Sequence, residues 1–278
     1  MFRGLKWNQL TQTCAYDSIL SIISNVYLHN AHHWQESMSG INTLLGEVVS
    51  SWAQALQYAS FERMEMARDA LQSRLNSENP HSFPKDGQHT DLAHLIMKLL
   101  RDDSGTQTKY TRRCTHCNRV EQPLVKCPTW SLSARETQQS LTTEIKHRFN
   151  KISDQPCQTC SHTTVRETVT LNQDHPPPFI ALSMEDRRHL GGTACQPKLT
   201  AQVSIGEKST KITYKVRGLI YWDKSHFTCR MLGKAGEVYY NDGMTIGATC
   251  IHEGKLADLQ DLYNTKGAQL TYIILSLV

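Results

Sequence analysis

Two C-x-x-C pairs constrain the fold of this 278-residue chain more than any other feature. Cys114 and Cys117 form the first pair, and Cys157 and Cys160 form the second, after 39 intervening residues. Two residues between thiolates let one tight turn hold both sulfurs about 2.3 Å from a Zn²⁺ ion, and two such turns complete a tetrahedron. The spacing therefore favours one shared zinc over a dithiol redox pair or four unrelated thiols. Four filled positions leave none for chemistry, so this metal is expected to be structural.

Helical patterns dominate the first hundred residues. Apolar side chains recur at helical spacing over 14–28, and 41–76 has the pattern of one or two amphipathic helices. A loop with proline and glycine follows at 77–88. A further helix is predicted in "HTDLAHLIMKLL", with Thr90 or Asp91 as its N-cap.

After Arg101 the character of the sequence changes. Segments rich in threonine, valine and turn residues, such as "KITYKVRGLIYW" and "AQLTYIILSLV", predict strands and hairpins up to the C-terminus. A helical lobe over 1–100 and a β-rich lobe over 101–278 indicate an α+β fold with a largely antiparallel sheet. We expect one domain spanning 1–278.

Composition and charge bear on location and partners. No apolar run approaches the ~18 residues that cross a bilayer, and the first residues lack the apolar stretch of a signal peptide. Nine cysteines in such a chain indicate free thiols and metal ligands, so we expect an intracellular protein that binds no membrane. The net charge of +4 includes no basic block, which argues against nucleic-acid binding. We expect a monomer.

Cys14 stands between a polar turn and an apolar run in "WNQLTQTCAYDSILSII". Free cysteine is often a small buried hydrophobe, and Cys14 could simply be the first core residue of a helix. The alternative is a nucleophile, because the N-terminal end of a helix favours a thiolate. A histidine partner elsewhere in the chain would decide between these interpretations.

His226 is the candidate partner. It opens a strand-like stretch, and a turn leads to a second strand that ends at Asn241 and Asp242. A hairpin of that length returns the Asn-Asp pair to His226, where it offers an acceptor for Nδ1–H and leaves Nε2 to face a thiol. The backbone N–H of Cys14 with the amide of Gln9 or Asn8 could bind the oxyanion that acyl transfer generates.

These motifs together resemble the ubiquitin-specific protease family. "NQLTQTCAYDSIL", the two C-x-x-C pairs, "HFTCRML" and "VYYNDG" occur in the order and relative placement of that fold, and the resemblance covers almost the whole chain. It implies a papain-like fold with a helical thumb, zinc-bearing β fingers and an antiparallel β palm. It also implies that Cys14 is the nucleophile and His226 the general base. Asn241 or Asp242 would orient the imidazole, with Asn241 slightly preferred.

The sequence departs from the family pattern beside the nucleophile. Gln9 stands where the family has an oxyanion-binding asparagine, and Asn8 lies one step further away. Residues 10–13 contain no glycine, although the family has one in this turn. Asp17 stands where family members commonly have asparagine, and at this position the sequence is more similar to the branch of the family that cleaves SUMO. Phe227 stands where the family commonly has tyrosine.

The resemblance implies a cysteine isopeptidase that cleaves after the C-terminal glycine of ubiquitin. Glu185 or Asp186 could pair with the basic tail of that modifier. Two alternatives remain at this point: an isopeptidase for SUMO or another ubiquitin-like modifier, and an inactive zinc-bearing scaffold that only binds a modifier.

Overall fold

The computed structural model describes residues 2–58, 60–132, 138–184, 196–206 and 210–278. The helices within these ranges are α1 Cys14–His29, α2 Ala31–Ser39, α3 Thr43–Gln57, α4 Glu62–Glu78, α5 Leu92–Leu99 and α6 Leu141–Phe149. All but α6 belong to the first hundred residues, as the sequence predicts. No helix in the described ranges is both long and apolar enough to span a membrane.

Strands make up most of the regular structure in the described residues after Arg101, which confirms the α+β class. Their bounds are β1 Thr108–Cys114, β2 Val120–Glu121, β3 Thr129–Leu132, β4 Asn150–Ile152, β5 Val165–Leu171, β6 Phe179–Met184, β7 Gln202–Ile205, β8 Ile212–Trp222, β9 Phe227–Leu232, β10 Glu237–Asn241, β11 Ile251–Lys255, β12 Asn264–Thr265 and β13 Ala268–Leu277.

The strands form two sheets. The smaller has the order β2-β1-β5-β4, and the larger has the order β11-β10-β9-β8-β13-β6-β3, with β12 paired to β13 and β7 paired to β8. The pairings are antiparallel except for β3, which runs parallel to β6 at one edge of the larger sheet. The largely antiparallel sheet of the sequence prediction is therefore correct.

The larger sheet carries a hydrophobic core on each face. Ala181 of β6 packs with the helical residues of α1 to α5, whereas its neighbours Ile180 and Leu182 pack with α6 on the other side. Side chains that alternate across a strand make this two-sided packing possible. The sheet thus separates five helices from α6.

Helix α1 is buried on all sides from its first residue to Tyr27. It packs directly on the larger sheet at Gly218 of β8, where a Cβ atom would come within 2.3 Å of Ile22. Its buried polar residues find partners: the Ser21 hydroxyl accepts the Leu5 N–H at 2.9 Å, and the Asn25 amide donates to the Arg3 carbonyl at 2.7 Å. A helix that is buried around its whole circumference, as α1 is, lies in the centre of a protein.

Residues 3–7, the N-terminal strap, join α1 to the hairpin of β9 and β10. Gly4 N–H donates to Ala248 O at 3.0 Å, and Trp7 N–H donates to Gly243 O at 3.1 Å. Gly4 has no room for a side chain, because a Cβ atom there would lie 2.1 Å from the side chain of Asn241. The strap therefore ties the two elements that carry Cys14 and His226.

Two helices escaped the sequence prediction. The sequence predicts no helix between the patterns over 14–28 and 41–76, yet α2 begins at Ala31 with Asn30 as its cap and buries Trp34 and Met38. Helix α6 interrupts the β-rich half, where the Ser140 hydroxyl accepts the Thr143 N–H at 3.2 Å. Both are nine residues long, too short for a clear helical period.

Candidate functional site

Cys14 is the first residue of α1 and is only 1% exposed. Thr13 occupies the N-cap position, but its hydroxyl caps no N–H of the first helical turn. It donates instead to Oδ2 of Asp17 at 2.7 Å and accepts the N–H of Asn8 at 2.8 Å. The uncapped N–H groups of this turn stay available to an anion beside the thiol.

His226 is held by a tight turn that precedes β9. Its N–H donates to Oδ1 of Asp223 at 2.8 Å, and Lys224 within this turn has a positive φ of 83°. The imidazole Nε2 lies 2.8 Å from Oδ1 of Asp242. Its Nδ1 is buried and makes no hydrogen bond within the described part of the chain, which leaves this nitrogen for Cys14. The ring is thus oriented at one nitrogen and free at the other.

Asp242, and not Asn241, contacts the imidazole. The Asp242 carboxylate also accepts the hydroxyl of Thr245 at 2.7 Å. The Asn241 amide turns away and donates to the carbonyls of Gly247 at 2.9 Å and Thr249 at 2.8 Å. Successive side chains of a strand point in opposite directions, so only one of the two can face His226.

The ring nitrogens are used in the reverse of the order argued from the sequence. The sequence analysis expects Nδ1 to bond to the Asn-Asp pair and Nε2 to face the thiol, whereas Nε2 of His226 contacts Asp242. Which nitrogen reaches the carboxylate depends on the rotation of the ring, and residue spacing carries no information about that rotation.

Charge in the site favours a protonated imidazole. Burial lowers the pKa of His226, but the hydrogen bond with Asp242, the influence of the nearby Cys14 thiol and the attraction of the negative charges of both groups outweigh burial and raise this pKa to about 9. Burial likewise opposes ionisation of Asp242, yet the hydrogen bonds from His226 and Thr245 prevail and lower its pKa to about 2. An imidazolium beside a thiol favours the thiolate form of that thiol.

The side-chain amides of Asn8 and Gln9, which the sequence suggested as oxyanion donors, differ in their exposure and contacts. The Oδ1 atom of half-buried Asn8 accepts the N–H of Leu10 at 3.0 Å, while the side chain of Gln9 is exposed. Gln12 adopts the left-handed φ of 51° that a glycine would favour, and its amide donates to the Gln9 carbonyl at 3.1 Å. Neither Asn8 nor Gln9 has a described contact with Cys14.

The four cysteines of the two C-x-x-C pairs come together at the end of the smaller sheet. Their sulfur atoms all lie within 4.8 Å of one another. The Sγ atoms of Cys114 and Cys160 are 3.6 Å apart, and those of Cys117 and Cys157 are 3.7 Å apart. Sulfurs around a tetrahedral zinc are separated by about 3.8 Å, so this cluster has the size of a zinc site.

Solved structures of known proteins share this architecture. A chain of the SAGA DUB module Ubp8/Sgf11/Sus1/Sgf73 bound to monoubiquitin matches with a TM-score of 0.55 and 14% identity, over 99% of this chain and 69% of that one. The same module bound to ubiquitin aldehyde matches with a TM-score of 0.54 and 13% identity, over 99% and 69% of the two chains. The Saccharomyces cerevisiae Pan2 pseudoubiquitin hydrolase-RNA exonuclease module, in complex with A7 RNA, matches with a TM-score of 0.57 and 10% identity, over 100% of this chain and 54% of that one.

The chain has the fold of a ubiquitin hydrolase module. No family model matches the sequence, and no curated protein matches it either. At 10–14% identity the likeness concerns the fold, so the chemistry of this ubiquitin-hydrolase fold must be argued from the residues of its site.

Sequence reasoning missed Arg68, which shapes the turn before the nucleophile. Nη1 of Arg68 lies 2.5 Å from Oδ1 of Asp17 and also donates to the Lys6 carbonyl at 2.5 Å, and both side chains of the pair are buried. Burial outweighs the attraction of Arg68 and raises the pKa of Asp17 to about 7. A single arginine in the middle of α4 gives no sequence signal of this contact.

Sequence reasoning also missed His89, which lies beside the thiol. Its Nδ1 is 4.0 Å from Sγ of Cys14. The polar residues directly before α5 were the only available signal. Glu185 and Asp186, the acidic residues considered for the modifier tail, lie outside the described residues.

Proposed function

We propose that this protein is a cysteine isopeptidase that hydrolyses the bond after the C-terminal glycine of ubiquitin. The observation that supports the proposal is the contact of Asp242 with His226, an imidazole whose pKa Cys14 influences from the start of α1, within the fold of a ubiquitin hydrolase module. A nucleophile, a base and a group that orients the base are the parts that thiol-dependent acyl transfer needs.

In the first half of the reaction, Nδ1 of His226 removes the proton of the Cys14 thiol, and the sulfur bonds to the glycine carbonyl carbon. The uncapped N–H groups of the first turn of α1 are available to bind the oxyanion. When the tetrahedral intermediate collapses, the carbon–nitrogen bond breaks and His226 gives its proton to the departing lysine amine. The product is a thioester on Cys14.

In the second half, His226 takes a proton from water, and the hydroxide attacks the thioester. The carbon–sulfur bond breaks, the thiol recovers its proton, and the modifier leaves with a free carboxylate. Asp242 stays ionised throughout, because its pKa of about 2 lies far below neutral pH, and it holds the ring through Nε2.

We propose that Cys114, Cys117, Cys157 and Cys160 hold a structural Zn²⁺. The size of the sulfur cluster supports four thiolate ligands, and the ion, when bound, would cross-link the two turns that carry them. Cys114 and Cys157 also form, with Val165, the small buried cluster at that end of the sheet. Two of the proposed zinc ligands therefore belong to the local hydrophobic core. No step of the reaction passes through this site.

The test is hydrolysis of ubiquitin that carries a fluorophore on its C-terminal glycine. The wild-type protein should release the fluorophore, and Cys14→Ala should reduce the rate by at least about 10³-fold. Cys127→Ala is the matched control. This variant should retain the rate, because Cys127 is neither the proposed nucleophile nor one of the four clustered cysteines. Unchanged turnover in Cys14→Ala would exclude the mechanism.

SUMO is the alternative substrate, which the sequence suggested through Asp17. The structure offers a different reason for an aspartate at this position. Asp17, the residue that resembles the SUMO-cleaving branch, is buried against Arg68 and Thr13. Side-by-side reaction with ubiquitin and SUMO, each carrying a C-terminal electrophile, distinguishes the two modifiers. An adduct on Cys14 with SUMO alone would replace ubiquitin in the proposal.

An inactive scaffold is the second alternative, and one comparison favours testing it. The Pan2 module is described as a pseudoubiquitin hydrolase, so this fold does not by itself imply activity. A scaffold would bind ubiquitin equally well in wild type and Cys14→Ala while neither protein formed an adduct with the electrophilic modifier.

We further propose that the protein acts as a monomer inside the cell, as one catalytic domain spanning 1–278, on ubiquitin conjugates and without nucleic acid. None of the eight cysteines in the described residues forms a disulfide, which supports a reducing compartment. Sedimentation of the purified protein with and without ubiquitin tests the monomer and the complex together.

A further inference from the structure

We infer that His89 donates the side-chain hydrogen bond to the oxyanion, the role that the sequence assigns to Asn8 or Gln9. This inference rests on the proposed function. It starts from one contact, the 4.0 Å between Nδ1 of His89 and Sγ of Cys14.

The cap of α5 and an aromatic neighbour fix the position of His89. Two residues later, Oδ1 of Asp91 accepts the N–H of Ala93 at 2.7 Å, and Thr90 between them is buried. The imidazole stands edge-on to Trp222, with ring centroids 6.4 Å apart. Trp222 in turn packs on Phe227, the residue after His226, at 4.3 Å. His89 thus belongs to the same cluster as the base.

The distance suits an oxyanion donor. A donor binds best about 2.7–3.1 Å from the oxyanion itself. In the tetrahedral intermediate that oxygen is two bonds from the sulfur, so a nitrogen 4.0 Å from Sγ of Cys14 can lie within hydrogen-bonding distance of it. The His89 imidazole provides the donor in the tautomer that carries hydrogen on Nδ1.

The other candidate groups have no comparable contact with the thiol. His226 is hydrogen-bonded to Asp242 and must carry the proton between sulfur and leaving amine. Oδ1 of Asn8 accepts the Leu10 N–H, and neither Asn8 nor Gln9 has a described contact with Sγ of Cys14, whereas His89 has one. His89 therefore complements the uncapped N–H groups at the start of α1, and together they form a two-part oxyanion site.

A different role for His89 predicts the opposite result. Cys14 is 1% exposed, so the imidazole also covers the thiol. If covering were its only role, removing the ring would open access to the sulfur and speed the reaction. If the ring binds the oxyanion, removing it slows the chemical step.

The experiment compares His89→Ala and His89→Gln with the wild type, and uses His81→Ala as a control. His81 is an exposed histidine in the loop before α5, eight residues away. With fluorophore-tagged ubiquitin, His89→Ala should lower kcat by about 10²-fold and change KM by less than about threefold. His89→Gln should recover part of kcat through its amide donor, and His81→Ala should match the wild type.

A second measurement separates this inference from the proposed function. A tripeptide aldehyde ending in glycinal adds the Cys14 thiol across its C=O bond: sulfur bonds to carbon, and the thiol proton moves to oxygen. Alkylation of Cys14, followed by mass spectrometry, reports this capture without any turnover. His89→Ala should weaken capture by a factor similar to its loss in kcat.

Each outcome decides one question. Equal or faster turnover in His89→Ala overturns the inference and leaves the isopeptidase in place. Weaker capture by His89→Ala in a protein that cleaves neither ubiquitin nor SUMO keeps the oxyanion donor and rejects the proposed function. A wild-type protein that captures no aldehyde and cleaves neither modifier overturns both.

Discussion

Nε2 of His226 lies 2.8 Å from Oδ1 of Asp242, while the adjacent Asn241 turns its amide to the carbonyls of Gly247 and Thr249. The two neighbouring residues therefore have separate tasks. Asp242 holds the imidazole, and Asn241 holds the loop that follows β10.

Substitution at these two positions should separate catalysis from stability. Asp242→Ala should lower kcat roughly 10²–10⁴-fold, because the ring loses the group that fixes its orientation. Asn241→Ala should cost about 1–3 kcal/mol of unfolding free energy, because the carbonyls of Gly247 and Thr249 lose their donor, and it should lower kcat less. Fluorophore release and urea unfolding measure the two effects. A greater loss of kcat in Asn241→Ala than in Asp242→Ala would contradict this division.

The His226 site should make stability depend on pH at the alkaline end. The pKa of His226 is about 9 in the folded protein and 6.5 for an unperturbed histidine, so its contribution is fully present below pH 6.5 and is lost as the pH rises through 9. The difference corresponds to on the order of 3 kcal/mol. Urea unfolding of wild type and His226→Gln from pH 6 to 10 should show a decline in the wild type that the variant lacks. Parallel curves would show that the imidazole is not protonated in the folded protein.

Asp242 makes the matching contribution in acid. Its pKa of about 2 lies below the 3.8 of an unperturbed aspartate, so its stabilisation is present above pH 3.8 and is lost as the pH falls through 2. In unfolding curves measured between pH 2 and 5, Asp242→Asn should lose less stability on acidification than the wild type. An identical acid dependence in both proteins would argue against the His226 contact.

The buried pair of Arg68 and Asp17 should show strong coupling. Arg68→Met leaves the Asp17 carboxylate and the Lys6 carbonyl without their buried donor, so we expect a loss of about 3–5 kcal/mol of unfolding free energy. The double variant Asp17→Asn/Arg68→Met should be less destabilised than the sum of the two single variants. A double-mutant cycle measured in urea gives the coupling energy, and additive effects would show that the pair does not act as a unit.

Metal content should depend on all four clustered cysteines. The purified protein should contain about one Zn²⁺ per chain by elemental analysis, and Cys117→Ser should bind it more weakly and unfold at a lower temperature. Cys127→Ser serves as the control, because its half-buried thiol contacts Thr129 and belongs to no cluster. A protein that holds no metal and melts at the same temperature with a chelator would refute the zinc site.

Gly4 should not tolerate a side chain. Gly4→Ala places a methyl group 2.1 Å from the Asn241 side chain, in the interface between the N-terminal strap and the β10 end, and overpacking of this kind costs about 1–3 kcal/mol. Gly236→Ala is an informative contrast, because a Cβ atom there meets nothing within 4 Å, although its φ of 84° adds backbone strain. If Gly4→Ala affects thermal unfolding no more than Gly236→Ala, the strap is not tightly packed.

The sequence predicted the parts of the fold that follow from local periodicity. The helical run that begins at Cys14, the helix capped by Asp91 and the strands on either side of His226 are present near the predicted bounds. Ligand spacing likewise placed four cysteines together, because two short turns leave the sulfurs little freedom.

The features that escaped prediction depend on tertiary contacts. The helix at 31–39 is fixed by Trp34 and Met38 in the core, and the contacts of Arg68 and His89 join positions 51 and 75 residues apart. Residue spacing also cannot choose between Asn241 and Asp242, or between the two ring nitrogens of His226. Such choices depend on strand facing and side-chain rotation, which only coordinates reveal.

The burial of α1 limits where this site can adapt when a modifier arrives. Its helix is packed on every side and seated on the sheet at Gly218, so displacing the sulfur would disrupt the centre of the molecule. Any adjustment to a modifier must then come from the groups around Cys14, such as His89, whose Nδ1 lies 4.0 Å from its Sγ. The thiol itself is the stationary reference point of the site.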